Sequence, residues 1–149
     1  WQYPEKLIPV IISNAINDKT IPIYGNGKNI RDWIYVEDHI DALLSIMEKN
    51  LINKTFLIGA NSEKQNIETV NIICDILDQI WDKSFFHQNL KVFVNDRLGH
   101  DIRYAINSQL LRKEIDWKPR NNFLNGIKKT INWYIKNNNW WTEILDTTK

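Results

Sequence analysis

Arginine is scarce in this sequence, five residues against fourteen lysines. That scarcity makes each guanidinium informative, because its flat fork holds two oxygens at once and an ammonium cannot copy it. Three of the five stand in two short segments, Ile30-Arg31-Asp32-Trp33 and Asp96-Arg97-Leu98-Gly99-His100-Asp101-Ile102-Arg103-Tyr104. In the longer segment Gly99 permits close approach of backbone to a ligand. Arg97 and Arg103 can each chelate two phosphate oxygens there, and His100 can donate to an oxygen or stack. The same residues also describe a charged surface loop in which Asp96 and Asp101 pair internally, and side-chain chemistry leaves these two readings level. Arg31, on a half-buried strand, projects from the face opposite Ile30 and Asp32. It needs a structural carboxylate or a ligand phosphate. Arg112 and Arg120 read as solvent-facing.

Other stretches offer less. Pro4-Glu5-Lys6-Leu7-Ile8-Pro9 stands where a helix begins, and free backbone N–H groups at such a point seat an anion or a carbonyl. Lys6 adds positive charge to that seat, or is an ordinary solvated lysine. Gly25-Asn26-Gly27 resembles the start of a dinucleotide fingerprint but lacks the third glycine and the following helix, so a hairpin turn explains it better. His39, His87 and His100 are too scattered for a zinc site. The single cysteine, Cys74, excludes an intramolecular disulfide and a cysteine-based zinc site, and reads as a small buried hydrophobe. Asp32 could be paired with Glu37 or Asp38 as acid and base, but a strand end and a helix start account for them. No catalytic residue and no metal ligand is assigned.

The elements that must hold these segments follow from periodicity. Leu7, Ile8, Ile11, Ile12, Ala15 and Ile16 form one face of a helix, with Pro9 in its first turn. Ile21–Tyr24 and Ile30–Val36 flank the Asn-Gly loop and predict a hairpin. Glu37 and Asp38 favour a helix start, after which Ile40, Leu43, Leu44 and Met47 recur at helical spacing. Thr55–Gly59 predicts a short buried strand. Asn66 is placed to cap a helix carrying Ile67, Val70, Ile73, Cys74, Leu77 and Ile80. Lys91–Val94 predicts another strand, and two helices follow, Ser108–Ile115 and Phe123 to about Ile135. Helices alternate with short strands, so the class is α/β, with an α+β-like character.

Composition narrows the functional classes. The chain of 149 residues is 43% apolar and 25% charged with net charge +1, ordinary globular usage without a basic field for nucleic acid. Its apolar runs are far shorter than a membrane span. It opens on Trp1-Gln2-Tyr3-Pro4 and its one methionine is Met47, so the sequence reads as starting within a longer protein. It is read as one domain, residues 1–149.

Taken together, the segments resemble one family. Pro4–Pro9, Pro22-Ile23-Tyr24-Gly25, Ile30–His39, Lys64-Gln65-Asn66-Ile67-Glu68, Asp96–Ala105, Trp117-Lys118-Pro119 and Gly126–Tyr134 follow the order and spacing of the second half of dTDP-glucose 4,6-dehydratases, which are extended short-chain dehydrogenases. The likeness runs from Tyr3 to about Leu145. It implies the carboxyl-terminal substrate-binding part of such an enzyme, with Lys6, Leu7, Pro22, Ile23, Tyr24, Arg31, Asn66, Arg97 and His100 lining a nucleotide-sugar site. Arg31 and Arg97 would hold the pyrophosphate, and Tyr24 would lie near the base. For Asn66, capping and ligand contact both stand open. The sequence departs from the family at Leu98, where proline is usual.

In the family, NAD takes hydride from C4 of the glucose, water leaves across C5 and C6, and hydride returns to C6. The resemblance implies NAD in the full-length enzyme, a homodimer and a cytoplasmic location. It sets the NAD-binding Rossmann domain and the catalytic groups upstream of Trp1, so this chain alone is expected to bind no NAD and to turn over no substrate. Two other readings stand beside it: a truncated remnant that catalyses nothing, and a fragment of another sugar-nucleotide epimerase or decarboxylase.

Overall fold

A computed structural model describes residues 5–147; Trp1 to Pro4, with which the resemblance begins, lie outside the described residues. The elements in chain order are α1 (Leu7–Ile16), β1 (Ile21–Tyr24), β2 (Ile30–Asp32), α2 (Val36–Glu48), β3 (Glu63–Gln65), α3 (Asn66–Ile80), β4 (Lys91–Val94), β5 (Arg103–Tyr104), α4 (Gln109–Ile115), α5 (Phe123–Lys136) and α6 (Asn138–Thr147). One 3-10 turn, His87–Leu90, precedes β4. The mixed helix and strand class is as expected. The chain divides into two compact units. The first holds the residues up to Lys28, Asn66–His100 and those from Ile127 onward; the second holds Asn29–Gln65 and Asp101–Gly126.

In the first unit α1 packs on α3 and on β1. Ile11, Ile12 and Ala15 of α1 and Val70, Ile73, Cys74 and Leu77 of α3 are all buried. Each fully buried aliphatic side chain contributes about 1.5–3 kcal/mol, which is why the three-and-four spacing of both segments settles as helix. Pro9 sits in the first turn of α1, where it forfeits no helical bond. β1 runs parallel to β4, with Ile21 opposite Lys91 and Tyr24 opposite Val94. Parallel pairing brings the carboxyl ends of both strands to the same edge.

The predicted hairpin is not formed. Gly25 and Gly27 both take positive φ, and Gly27 N–H donates to the Tyr24 carbonyl at 3.1 Å, closing a tight turn. Gly25 N–H continues the β1–β4 ladder to the Val94 carbonyl at 2.9 Å, and Ile67 N–H donates to the Gly27 carbonyl at 2.9 Å. A Cβ on Gly27 would meet Ile23 and Ile67 at 2.9–3.0 Å. The turn is thus pinned against the start of α3, and β1 takes its partner from seventy residues downstream rather than from the next strand.

The second unit contains a three-stranded sheet, ordered β3-β2-β5, with β3 antiparallel and β5 parallel to β2. Ala42, Leu111, Ile115 and Trp117 form its buried core, against which Ile34, Ile46, Leu51, Phe56 and Ile58 pack. The strand expected at Thr55–Gly59 has the right alternation, Phe56 and Ile58 turned inward and Leu57 exposed, but no strand among the described residues pairs with it. Period-two burial alone does not make a ladder. In α2 the apolar face read from the sequence is turned outward: Val36, Ile40, Leu43, Leu44 and Met47 are exposed, while Asp38 and Ala42 on the opposite side are buried.

Two features went unread. β3 and β5 are short polar strands with no apolar alternation to mark them. Helix α6 follows α5 after one intervening residue, and its Trp141 is buried, donating Nε1–H to the Tyr134 carbonyl at 2.9 Å. The run Asn137-Asn138-Asn139 spans the junction, its last two residues being the first two of α6. The pair Trp140-Trp141 with Ile144 and Leu145, at helical spacing, carried the signal.

Candidate functional site

The carboxyl ends of β1 and β4 carry the residues that could meet a ligand in the first unit. Ligands of sheets with parallel strands bind outside such ends, where the chain leaves the ladder and loops are free to vary. β1 delivers Tyr24 at its last position, and β4 leads into Asp96, Arg97, Leu98, Gly99 and His100. His100 N–H donates to the Arg97 carbonyl at 3.2 Å, so the four residues from Arg97 to His100 make a tight turn. Its third residue, Gly99, holds φ 70, the left-handed conformation that glycine adopts without a Cβ clash. Leu98 occupies the corner that a proline ring would preset, and its side chain is fully exposed.

The Arg97 guanidinium lies 4.3 Å from the centre of the Tyr24 ring. A cation on an aromatic face gains electrostatic attraction without surrendering its N–H groups. Among the described residues Arg97 makes no ion pair, although Asp96 is its neighbour in sequence. Asp96 Oδ1 instead accepts the Arg97 backbone N–H at 2.8 Å and contacts His100 Nδ1 at 2.7 Å. The bond from His100, followed by that from the Arg97 amide, holds the Asp96 carboxyl below the usual carboxylate range. Part of the internal pairing expected for this loop is therefore present, and it leaves the guanidinium free.

Arg31 belongs to the second unit. It donates Nη1–H to the Ile30 carbonyl at 2.7 Å and Nη2–H to the Asp101 carbonyl at 3.0 Å. Neither partner is a carboxylate, and among the described residues Arg31 makes no ion pair. The structural salt bridge considered for it is not made. Arg103, by contrast, is not available to a phosphate: its fork sits bidentate on Glu63 at 2.7 and 2.8 Å. That bond holds the Glu63 carboxyl below its ordinary value and raises the guanidinium further. Arg112 also departs from expectation. It is half-buried, donating to Ser108 Oγ at 3.0 Å and the Gly59 carbonyl at 3.3 Å, with its guanidinium 5.8 Å from the Trp117 ring centre. Arg120 is exposed as expected, paired with Asp41 at 2.7 Å.

The remaining predicted residues fall as follows. Pro22 is half-buried and Ile23 buried within β1; Leu7 is half-buried at the start of α1. Lys6 is exposed and paired with Glu5 at 3.1 Å. Asn66 opens α3, is nine-tenths buried, and its Oδ1 has no hydrogen-bond partner, so it caps nothing. A buried amide oxygen left so is costly unless a donor reaches it. The acid–base pairing imagined for Asp32 is not present: Asp32 accepts the backbone N–H groups of Ser62 and Asn61 at 2.7 and 3.3 Å, and Asp38 is occupied by Arg120 and Asn121.

Tyr24 and Lys28 stand at a Tyr-x-x-x-Lys spacing. On a helix that spacing stacks two side chains on one face. Here a turn with two positive-φ glycines separates them, Lys28 is exposed and Tyr24 lies under Arg97, so no acid–base couple results. The same turn does not fit a dinucleotide: a strand follows it, and the space above Gly27 is filled by Ile23 and Ile67. Among the described residues no cluster of metal-ligating side chains occurs, and no helix is long and apolar enough to cross a membrane.

With this geometry in place, comparison with known proteins decides the relationship. The sequence pattern described as GDP-mannose 4,6 dehydratase matches residues 1–130. The chain belongs to that family. An Escherichia coli dTDP-glucose 4,6-dehydratase is 46% identical over 98% of this chain and 41% of its own length. The crystal structure of a Bacillus anthracis dTDP-glucose 4,6-dehydratase in complex with NAD matches with TM-score 0.84 and 40% identity, covering 97% of this chain and 43% of that one. A Streptomyces venezuelae dTDP-glucose 4,6-dehydratase with NAD bound gives TM-score 0.86 at 31% identity, covering 97% and 42%. The resemblance read from the segments is borne out. The chain spans about two fifths of the length of these family members.

Proposed function

We propose that this chain is the nucleotide-sugar-binding part of a dTDP-glucose 4,6-dehydratase, in which dTDP-glucose loses water to give the 4-keto-6-deoxy sugar. The observation that carries this reading is the Arg97 guanidinium laid on the Tyr24 ring at 4.3 Å, without an ion-pair partner among the described residues, at the carboxyl ends of two parallel strands. A fork held by stacking suits two diphosphate oxygens; Arg31, which among the described residues bonds to two carbonyls, is by its own chemistry also fit to hold a phosphate oxygen. Lys6, Leu7, Pro22, Ile23 and Tyr24 would contact the nucleoside and sugar, His100 would hydrogen-bond the ligand, and the orphan Oδ1 of Asn66 would accept from a ligand O–H or N–H. NAD supplies the hydride chemistry of the whole enzyme from a part other than this chain, whose one glycine-rich turn does not fit it. A homodimer in the cytoplasm completes the proposal.

The test is calorimetric titration of the chain with dTDP-glucose and with UDP-glucose. Preference for the thymidine compound is expected, with Arg97→Ala weakening it roughly tenfold or more, the usual effect of losing a charged hydrogen bond. A clear preference for UDP-glucose would assign the chain to an epimerase or decarboxylase instead. Adding NAD and dTDP-glucose to the chain should yield no keto-sugar, and turnover would show that this chain holds catalytic groups.

A further inference from the structure

The sequence Asp96-Arg97 sets a carboxylate beside a guanidinium, and the usual outcome is mutual neutralisation. Among the described residues the two side chains form no ion pair. One oxygen, Asp96 Oδ1, takes both the Arg97 backbone N–H at 2.8 Å and the Nδ1 edge of His100 at 2.7 Å. The other, Oδ2, lies against Gly25, where a Cβ would come within 2.8 Å of it. Gly25 has φ 57 and is itself bonded to the Val94 carbonyl at 2.9 Å. The carboxylate is therefore wedged between the ends of β1 and β4 with its hydrogen-bonding directed along its own loop. Arg97 is left to lie on Tyr24.

A carboxylate only accepts hydrogen bonds, so the imidazole nitrogen facing it carries the proton. That fixes the tautomer of neutral His100 as Nδ1–H and leaves Nε2 with a lone pair. The free imidazole ring ordinarily carries its proton on either nitrogen, and the partner of one decides the state of the other. A ring so held accepts from a ligand hydroxyl or N–H when neutral and donates to an anionic oxygen when protonated.

We infer that Asp96 is a positioning residue of the ligand site: its carboxylate orients His100 through Nδ1 and the Arg97 turn through the backbone, so that the His100 Nε2 edge and the Arg97 fork are both presented to a nucleoside diphosphate. This rests on the proposed nucleotide-sugar reading for the identity of the ligand, but not for the orientation of the ring. Asp96 touches no ligand in this account. It acts through its two neighbours.

The experiment has two arms on the full chain. In the first, long-range proton–nitrogen spectra of the imidazoles are recorded without ligand at about pH 9, where an ordinary imidazole is neutral. His100 should be the Nδ1–H tautomer, and Asp96→Ala should move it toward Nε2–H. In the second, thymidine diphosphate is titrated into the parent, Asp96→Ala, Asp96→Asn and Arg97→Ala chains. Asp96→Ala should weaken binding roughly tenfold with the melting temperature little changed. Asp96→Asn, which keeps the accepting oxygen and the shape, should recover most of that loss. A His100 tautomer unaffected by Asp96→Ala overturns the inference, as does Asp96→Ala binding as tightly as the parent while Arg97→Ala does not. A tautomer that shifts as expected in a chain with no affinity for thymidine diphosphate upholds the orienting role and refutes the nucleotide-sugar reading.

Discussion

Cys74 shows how position rather than residue type sets reactivity. Its thiol is buried within α3, and although Lys91 favours the thiolate, burial dominates and pushes the thiol up to about 12. Thiolate is the reactive form. In the native chain Cys74 should resist aromatic disulfide reagents at neutral pH and react only on denaturation; rapid native labelling would contradict this burial. At Glu63 the sign runs the other way. Arg103 lowers the folded carboxyl below its ordinary range, so the pair contributes stability above that range and loses it as pH falls through the lowered value. Glu63→Gln should flatten the acid limb of the melting temperature below about pH 4, and only slightly, since exposed pairs are screened by water. The sequence marked Arg97 and Arg31 as arginines that matter. It grouped Arg103 with them and set Arg112 aside as solvent-facing, because the partners of those two, Glu63 and the Gly59 carbonyl, lie 40 and 53 residues away. Such pairings are created by the fold.

At the scale of elements, helices with a buried stripe were legible and strands were less so. α1 and α3 carry their own evidence in three-and-four spacing. β1 and β2 looked like a hairpin because adjacency and an Asn-Gly loop are local signals, whereas the parallel partner β4 is a long-range one. Asp38 links two elements in a way no local pattern reveals. It stands in the first turn of α2, 2% exposed, and accepts the backbone N–H groups of Arg120 and Asn121 and the Asn121 side chain at 3.0–3.1 Å. Asp38→Ala should cost about 3 kcal/mol, because it strands several donors from a charged acceptor; a change within the error of chemical denaturation would contradict that role. Trp141→Ala should cost about 4 kcal/mol, measured the same way, since it empties a buried site and frees the Tyr134 carbonyl. An unaltered midpoint would show that α6 is not held by its tryptophan.

For the molecule as a whole, the outward apolar face of α2 is the feature that helical spacing alone left undecided. Val36, Ile40, Leu43, Leu44 and Met47 form one stripe at helical spacing, and spacing says only that they share a face. The inner face is satisfied by Asp38, Ala42 and Ile46, leaving the stripe to solvent. Contiguous exposed apolar surface drives association. The chain should self-associate at micromolar concentration in light scattering, and Leu44→Glu with Met47→Lys should suppress that without lowering the melting temperature. A monodisperse parent chain would oppose this. The ligand-holding claim is tested most directly by following backbone amide signals while thymidine diphosphate is added. The account predicts saturable shifts centred on Tyr24, Asn66 and the Arg97–His100 turn, reached only at roughly tenfold or more higher ligand concentration in Arg97→Ala. Shifts absent from these residues, or gathered on α6 instead, would contradict it.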